Sequence, residues 1–176
     1  MWVAIDLVSK LLLTLDVGNR TLAMAHRMIH QGAQVLAPDC VPLFLTDSLK
    51  EYATALLTHY GQWVHPARRQ AQGPVPMPRW MPLPGRRYAQ VVKTVRRRRL
   101  VHVCHRVVFG TFEAIQQVLA TQGWQINTAF IEWANLAMRQ HVAAVGRRVS
   151  TLCKHEAGLL QQLALYHVYH ILPASR

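Results

Sequence analysis

Apolar residues recur along the chain with strand-like and helix-like spacings that predict a series of short elements. Two apolar runs, residues 2–6 and 10–17, predict a β-hairpin. Thr21 can then cap a helix, whose apolar residues recur at helical spacing as far as Leu36. Pro38 ends this helix, because proline cannot continue it.

A strand followed at once by a helix comes next. Residues 41–46 form a short apolar run that ends at Asp47, and helical spacing of apolar residues runs from Leu49 to Tyr60. The order hairpin, helix, buried strand, helix predicts an α/β fold with a mixed sheet.

Proline and arginine interrupt this pattern in the middle of the chain. Six of the nine prolines lie between Pro66 and Pro84, and we expect no regular element there. From Arg79 to Arg106 there are nine Lys or Arg residues and no acidic residue. We therefore predict an extended, Pro-rich basic insertion over residues 66–99.

The last part of the chain returns to regular patterns. Residues 100–109 predict a strand, and apolar residues then recur at helical spacing after Gly110. We expect a second helix from about Thr128 and a third over residues 156–169.

Composition narrows the functional classes. The 176 residues carry 20 Lys or Arg against 8 Asp or Glu, a formal charge of +12, and 51% are apolar. Such a chain is too apolar for a disordered basic tail, and its charge favours a polyanionic partner. We predict neither a signal peptide nor a membrane span. Three widely spaced cysteines argue against a disulfide scaffold and favour a reducing, cytoplasmic compartment.

Two of the few acidic residues could carry chemistry. Asp47 lies where a buried strand ends and a helix begins, and Glu132 lies in a helix whose other charges are all basic. One interpretation of Glu132 is an ion pair with Arg139 or its neighbours on the same helix. The other is a metal ligand, because Mg²⁺ binds one or two carboxylates and completes its octahedron with water and phosphate oxygens.

Aromatic, histidine and cysteine side chains leave further alternatives open. Trp63, Trp80 and Tyr88 are interleaved with the cations and could stack on nucleic-acid bases, although core burial is the favoured interpretation for Trp63. Several histidine and cysteine pairs have spacings that could suit zinc but lack paired zinc-ligand motifs. These are His26 with His30, His102 with Cys104 and His105, and His167 with His170. Cys104 has no evident catalytic partner for a nucleophilic role.

Four segments together resemble the DDE-type transposases of insertion sequences. They are VPLFLTDSLKEY, RRRRLVHVCHRVVFGT, INTAFIEWANLAMRQHVAAVGRR and LALYHVYH. The resemblance covers nearly the whole chain and implies an RNase H-like mixed sheet flanked by helices. It divides the chain into a first part of the catalytic core, the basic insertion, and a second part bearing the glutamate helix, over residues 1–65, 66–99 and 100–176.

The resemblance also implies site residues and cofactors. Asp47 matches the second catalytic aspartate and Glu132 the catalytic glutamate, and both would bind Mg²⁺ or Mn²⁺, as two ions in a complete site. Asn127, Asn135, Arg139 and Gln140 match positions of the glutamate motif. The residues expected to contact DNA are Lys93, Arg96, Arg97, Arg98, Arg99, Arg106, Asn135, Arg139, Arg147 and Arg148.

The first catalytic aspartate has one candidate in this chain, Asp6. In the family, however, a segment like WVAID..SKLLL resembles the second and third strands, which form a hairpin. On that alignment the first strand and its aspartate precede Met1 and are absent. Asp6 is then a hairpin residue, and activity depends on whether it replaces the missing ligand.

We therefore expect the catalytic domain of a DDE transposase, which cleaves DNA and transfers strands by metal-dependent chemistry. Its partners would be transposon ends and target DNA. It would be associated with the bacterial nucleoid in the cytoplasm, and it could form a homo-oligomer. The first alternative is a non-catalytic DNA-binding remnant of a transposase, which keeps the cationic surface without the chemistry. The second is a structural RNA-binding protein, which would use the basic segment and ignore magnesium.

Overall fold

The fold is mixed α/β, as the sequence predicts. A computed structural model describes residues 1–38, 40–68, 74–146 and 155–171, which contain five α-helices and three small sheets. The strands are β1 (Trp2–Ile5), β2 (Leu12–Asp16), β3 (Leu43–Asp47), β4 (Gly61–Val64), β5 (Arg79–Pro82), β6 (Arg87–Arg96) and β7 (Arg99–Phe109). The helices are α1 (Leu22–Val35), α2 (Glu51–Tyr60), α3 (Phe112–Ala120), α4 (Ala129–His141) and α5 (Glu156–Ile171), with a short 3₁₀ helix at Ala143–Val145.

Contacts divide the chain into two compact units. The first unit combines Met1–Ala37 with Thr128–Arg176, and the second is Pro38–Asn127. The predicted basic insertion, residues 66–99, falls within the second unit.

The first unit is built on the predicted hairpin. Strands β1 and β2 pair antiparallel, with Trp2 opposite Asp16, and form a sheet of their own. Helix α1 follows, and the Thr21 side chain caps it by accepting a hydrogen bond from the Met24 backbone N–H at 3.3 Å. The sequence signals for this hairpin and this helix start are thus confirmed.

Apolar side chains from β2, α4 and α5 form the core of the first unit. Met138 is fully buried on α4. The other buried members of this core are Leu12, Val142, Leu163 and Tyr166. Phe130, on the same helix, is half-buried, and the Lys10 ammonium lies 3.5 Å from its ring centroid.

The second unit contains a three-stranded sheet in the order β3-β6-β7. Strand β3 runs parallel to β6, and β6 pairs antiparallel with β7. The sheet is therefore mixed, as predicted, but among the described residues it is separate from the β1–β2 hairpin. Helix α3 covers one face through Ile115 and Leu119, which pack on Ala89 and Val91 of β6.

The expectation of no regular element between Pro66 and Pro84 is wrong for part of that range. Strand β5 lies inside the Pro-rich stretch and pairs with β4, while β6 is the central strand of the larger sheet. Proline is tolerated in β5 because Pro82 is its last residue and the hairpin leaves an edge unpaired. The two arginines of β6 are its first and last residues, and the buried run from Tyr88 to Val91, in its first half, forms an ordinary central strand.

No helix in the described part of the chain is long and apolar enough to cross a bilayer.

Candidate nucleic-acid interface

Strands β6 and β7 continue past the packed part of their sheet as an exposed two-stranded ribbon. We call residues 93–106 the basic arm; every residue in it is exposed. Pairing runs to the tip, where Arg96 lies opposite Arg99. The sheet packed on α3 therefore supports an arm that contains six of the predicted DNA-contacting cations: Lys93, Arg96, Arg97, Arg98, Arg99 and Arg106.

The tip of the arm is a two-residue turn with an unfavourable choice of residues. Arg97 and Arg98 have φ angles of 48° and 62°, in the left-handed region. A hairpin turn with two positive φ angles favours Asn-Gly, because a larger side chain there costs about 1–2 kcal/mol per residue. Arginine at both positions is therefore not what the turn itself prefers.

The pairing register assigns three of the arm's six cations, Arg96, Arg99 and Arg106, to one face. Side chains of paired residues share a face, and the face alternates along each strand. One face carries the pairs Arg96–Arg99, Thr94–His102, Val92–Cys104 and Gln90–Arg106. The other carries Val91 with His105, Lys93 with Val103 and, beyond a register shift between Thr94 and Val95, Val95 with Leu100. One side of the arm therefore carries three Arg residues, and the other carries one Lys residue and most of the apolar side chains.

No acidic residue balances the arm in sequence. Between Glu51 and Glu113 the chain has eleven Lys or Arg residues and neither Asp nor Glu. Concentrated positive charge destabilises a folded chain through self-repulsion, and a polyanion relieves this repulsion. The arm and its surroundings thus have the charge pattern of a phosphate-binding surface.

Asp47 lies where the sequence predicts, at the end of β3 and before α2. Its side chain is exposed, and Oδ1 accepts a hydrogen bond from the Leu49 backbone N–H at 3.1 Å. The preceding residue, Thr46, is held by the buried Tyr88 hydroxyl at 2.9 Å. This strand end is therefore fixed by the sheet while the carboxylate faces outward.

Glu132 lies in the first turn of α4 and is exposed. Its Oε1 accepts a hydrogen bond from the Thr128 hydroxyl at 2.7 Å, and the positive end of the helix dipole favours a carboxylate there. Asn135 and Arg139 follow at three and seven residues, which places them on the same side of the helix. Arg147 and Arg148 lie outside the described residues.

The two carboxylates predicted to bind metal lie in different units. Asp47 belongs to the second unit and Glu132 to the first. Within the described ranges there is no group of three or more His, Cys, Asp or Glu residues that could hold a metal ion. The histidine and cysteine pairs considered for zinc therefore gain no third ligand there, and the magnesium site stays a prediction.

Asp6 organises the loop between β1 and β2. Its carboxylate accepts hydrogen bonds from the backbone N–H groups of Val8, at 3.3 Å, and Ser9, at 2.8 Å, and from the Ser9 hydroxyl. Partial burial raises the pKa of Asp6, but the hydrogen bonds from Ser9 and Val8 and the Lys10 charge outweigh it and lower the pKa. These contacts favour a hairpin role for Asp6.

The structure corrects the interpretation of the aromatic residues. Tyr88 is fully buried and cannot stack on a base, whereas Trp63, for which we favoured core burial, is 53% exposed. Trp80 is also exposed and lies directly opposite Trp63 on the β4–β5 hairpin.

An ion pair with a buried carboxylate is also present that the sequence patterns did not predict. Asp16 is buried on β2, and its Oδ2 lies 2.7 Å from Nε of Arg27 on α1. The signal that could have found it is an acid at the end of an apolar strand, followed by an arginine on the next helix.

Comparisons with known proteins identify no relative: no family model matches the sequence, and no similar protein was found among curated proteins or solved structures.

Proposed function

We propose that this protein binds DNA through the basic arm and acts as the catalytic domain of a DDE transposase with an RNase H-like core. The DNA-binding half of this proposal is supported by one observation, an exposed two-stranded ribbon that carries six cations. The transposase half is supported by the sequence resemblance and by the position of Asp47 at a strand end.

The shape of the arm suits a DNA groove. The major groove of B-DNA admits a two-stranded β-ribbon. If the arm enters that groove, its cationic face meets phosphates, while the apolar side chains Val95, Leu100 and Val103 can contact thymine methyl groups. If the six cations all meet phosphates, log affinity falls with log salt with a slope of about −5.

Arg97 and Arg98 offer a test that separates DNA binding from folding. Replacing them by Asn and Gly (R97N/R98G) gives the turn its favoured residues, so we expect stability to stay equal or rise. If both arginines contact phosphate, the same variant should reduce the magnitude of the salt slope by about 2. Fluorescence anisotropy with a labelled duplex, over a series of salt concentrations, measures this slope.

A matched control removes two exposed cations outside the arm. The double variant Arg20→Gln with Lys50→Gln loses the same charge, and both residues are exposed. We expect its salt slope to stay close to that of the native chain. A native slope near zero, or equal changes in the two double variants, would contradict binding through the arm.

The chemistry of cleavage depends on whether the carboxylates suit magnesium. Asp47 and Glu132 are exposed and provide the hard oxygen ligands that Mg²⁺ prefers, and one or two carboxylates are enough to hold one ion. Asp6 is a poorer ligand because its loop already uses both carboxylate oxygens. When bound, the metal would activate water and stabilise the leaving oxygen of a phosphodiester.

A cleavage assay tests the transposase half. Magnesium-dependent nicking of a duplex by the native chain, lost in Asp47→Asn and in Glu132→Gln with affinity unchanged, supports the enzyme. The competing function is a non-catalytic DNA-binding remnant, which Asp6's engagement in its own loop favours. A native chain that binds duplex without nicking it, at any magnesium or manganese concentration, establishes that alternative.

A further inference from the structure

Two tryptophans form an exposed pair on the β4–β5 hairpin. Trp63 and Trp80 lie directly opposite each other, with ring centroids 5.8 Å apart and ring planes at 64°. They remain 53% and 43% exposed. In an edge-to-face pair the edge of one ring covers only one face of the other, so an indole face stays open. Large exposed aromatic surfaces of this kind point to a binding partner.

The surroundings of this tryptophan pair are positively charged. Arg79, opposite Val64, precedes Trp80 on β5, and Arg68 follows β4; both are exposed. The hairpin lies in the same acid-free stretch as the basic arm, between Glu51 and Glu113. This positive charge therefore favours an anionic partner over a cationic or neutral one. A nucleotide combines negative charge with an aromatic face.

The hairpin is tied to the unit that carries the arm. The Leu83 backbone N–H, just after β5, donates a hydrogen bond to the Tyr60 carbonyl at 3.0 Å, and the Arg86 guanidinium lies 4.6 Å from the Tyr60 ring centroid. The chain then enters β6 at Arg87. Both features thus belong to the second unit.

We propose that Trp63 and Trp80 form a stacking site for an unpaired DNA base. Bases inside a duplex are stacked on both faces, so only an unpaired base can place its face on an indole ring. The inference rests on the proposed DNA binding. It concerns side chains other than those of the arm, and it concerns the unpaired bases of the DNA and not its phosphates. The arm provides affinity for phosphates, and the tryptophan pair provides preference for unpaired bases.

The test compares three labelled substrates with one sequence. They are a fully paired duplex, the same duplex with unpaired thymine tails, and the tailed duplex with abasic sites in place of the thymines. We expect the native chain to bind the thymine-tailed duplex about tenfold more tightly than the paired one, since aromatic stacking contributes substantially per base. The abasic tails should remove this preference because they keep the phosphates and lose the base faces.

Leucine variants test whether the tryptophan pair causes the preference for thymine tails. In Trp63→Leu and Trp80→Leu we expect the preference for thymine tails to fall below about threefold, with paired-duplex affinity and salt slope unchanged. Trp133→Leu is the matched control, because Trp133 is similarly exposed, at 58%, on α4 of the other unit. A preference that survives in the leucine variants, or falls equally in Trp133→Leu, overturns the proposal.

Cross-linking keeps the proposal falsifiable if a leucine variant fails to fold. With 5-iodouracil in the tail, ultraviolet irradiation of the native complex should attach the tail to Trp63 or Trp80; mapping to other residues overturns the assignment. An RNA tail that competes better than the DNA tail overturns the choice of DNA. Failure of the arm hypothesis is distinguishable, since R97N/R98G would then leave the salt slope unchanged whatever the tail.

Discussion

The hydroxyl of Tyr88 lies 2.9 Å from Oγ1 of Thr46, the residue before Asp47. Gln90 completes this arrangement: its Nε2 donates to the Tyr88 hydroxyl at 2.8 Å and to the Leu49 carbonyl at 3.2 Å. A polar network in the middle of the sheet thus joins β6 to the end of β3 and to the start of α2. It fixes the backbone on both sides of Asp47, which is what a positioned carboxylate requires.

Removing the Tyr88 hydroxyl should therefore weaken the second unit. We expect Tyr88→Phe to lower the free energy of unfolding by about 1–2 kcal/mol, because the buried Gln90 amide loses an acceptor. Urea denaturation measures this loss. Tyr60→Phe is a suitable control, since it keeps the ring that contacts Phe44 and Arg86. Equal losses in the two variants would contradict the network.

Three buried or half-buried tyrosines lead us to expect a loss of stability at alkaline pH. Burial raises the pKa of Tyr88, and the negative charge of Asp47 adds to this, while burial likewise raises the pKa of Tyr60 and of Tyr166. Above pH of about 10 the unfolded chain loses these protons first. The native state then binds more protons, so the free energy of unfolding falls as pH rises. Urea midpoints measured across this range should decline, and less steeply in Tyr88→Phe.

The pair of Asp16 and Arg27 supports the first unit. Replacing Arg27 by Met keeps an aliphatic stem but leaves a buried carboxylate without its cation. We expect the free energy of unfolding to fall by about 1–2 kcal/mol, a modest loss because the Arg27 side chain is 60% exposed and water screens the pair.

A double-mutant cycle checks whether the two residues act together. In Asp16→Asn combined with Arg27→Met, we expect a loss smaller than the sum of the two single losses, because the second change removes a charge that no longer has a partner. Strictly additive losses would show that the pair contributes nothing beyond each residue's own packing.

The elements that the sequence predicts well are those with local signals. Thr21 shows why: its cap, the apolar spacing behind it and Pro38 all lie within a few residues of the helix they specify. Asp47 was located at a strand end for the same reason. The sequence does not predict β6 as a central strand, because its buried first half depends on pairing with β3 on one side and β7 on the other. The arginines at its two ends make the segment look like part of an exposed basic stretch, so the sequence does not indicate this pairing.

The candidate sites also include features with local sequence signals and features that depend on contacts between distant segments. Cations at the tip of the arm are visible in the sequence, but the alternation that separates them from Val95 and Leu100 needs the pairing register. The exposure of Trp63 depends on which side of a short hairpin is covered, and no local pattern encodes that. The burial of Asp16 likewise follows from α1 packing on β2, a contact between segments that the sequence alone does not align.

We expect His170, near the end of α5, to make the free energy of unfolding depend on pH in the mildly acidic range. His170 accepts or donates a hydrogen bond at the Tyr166 hydroxyl, 2.7 Å from its Nε2. Burial lowers the pKa of His170, and the positive charges of His141 and His167 lower it further. The unfolded chain, with a histidine pKa of about 6.5, therefore binds a proton more readily than the native state.

The sign of the effect follows directly. Because the unfolded state binds more protons, the free energy of unfolding decreases as pH falls below about 6.5, and the decrease ends once pH is below the native pKa of His170. His170→Gln removes this titration while keeping a polar group near Tyr166, so its stability should vary less between pH of about 7 and 5. His30→Gln removes a different histidine, exposed on α1, and controls for their number. Urea midpoints decide the matter: if both variants track the native pH dependence, His170 is not its source.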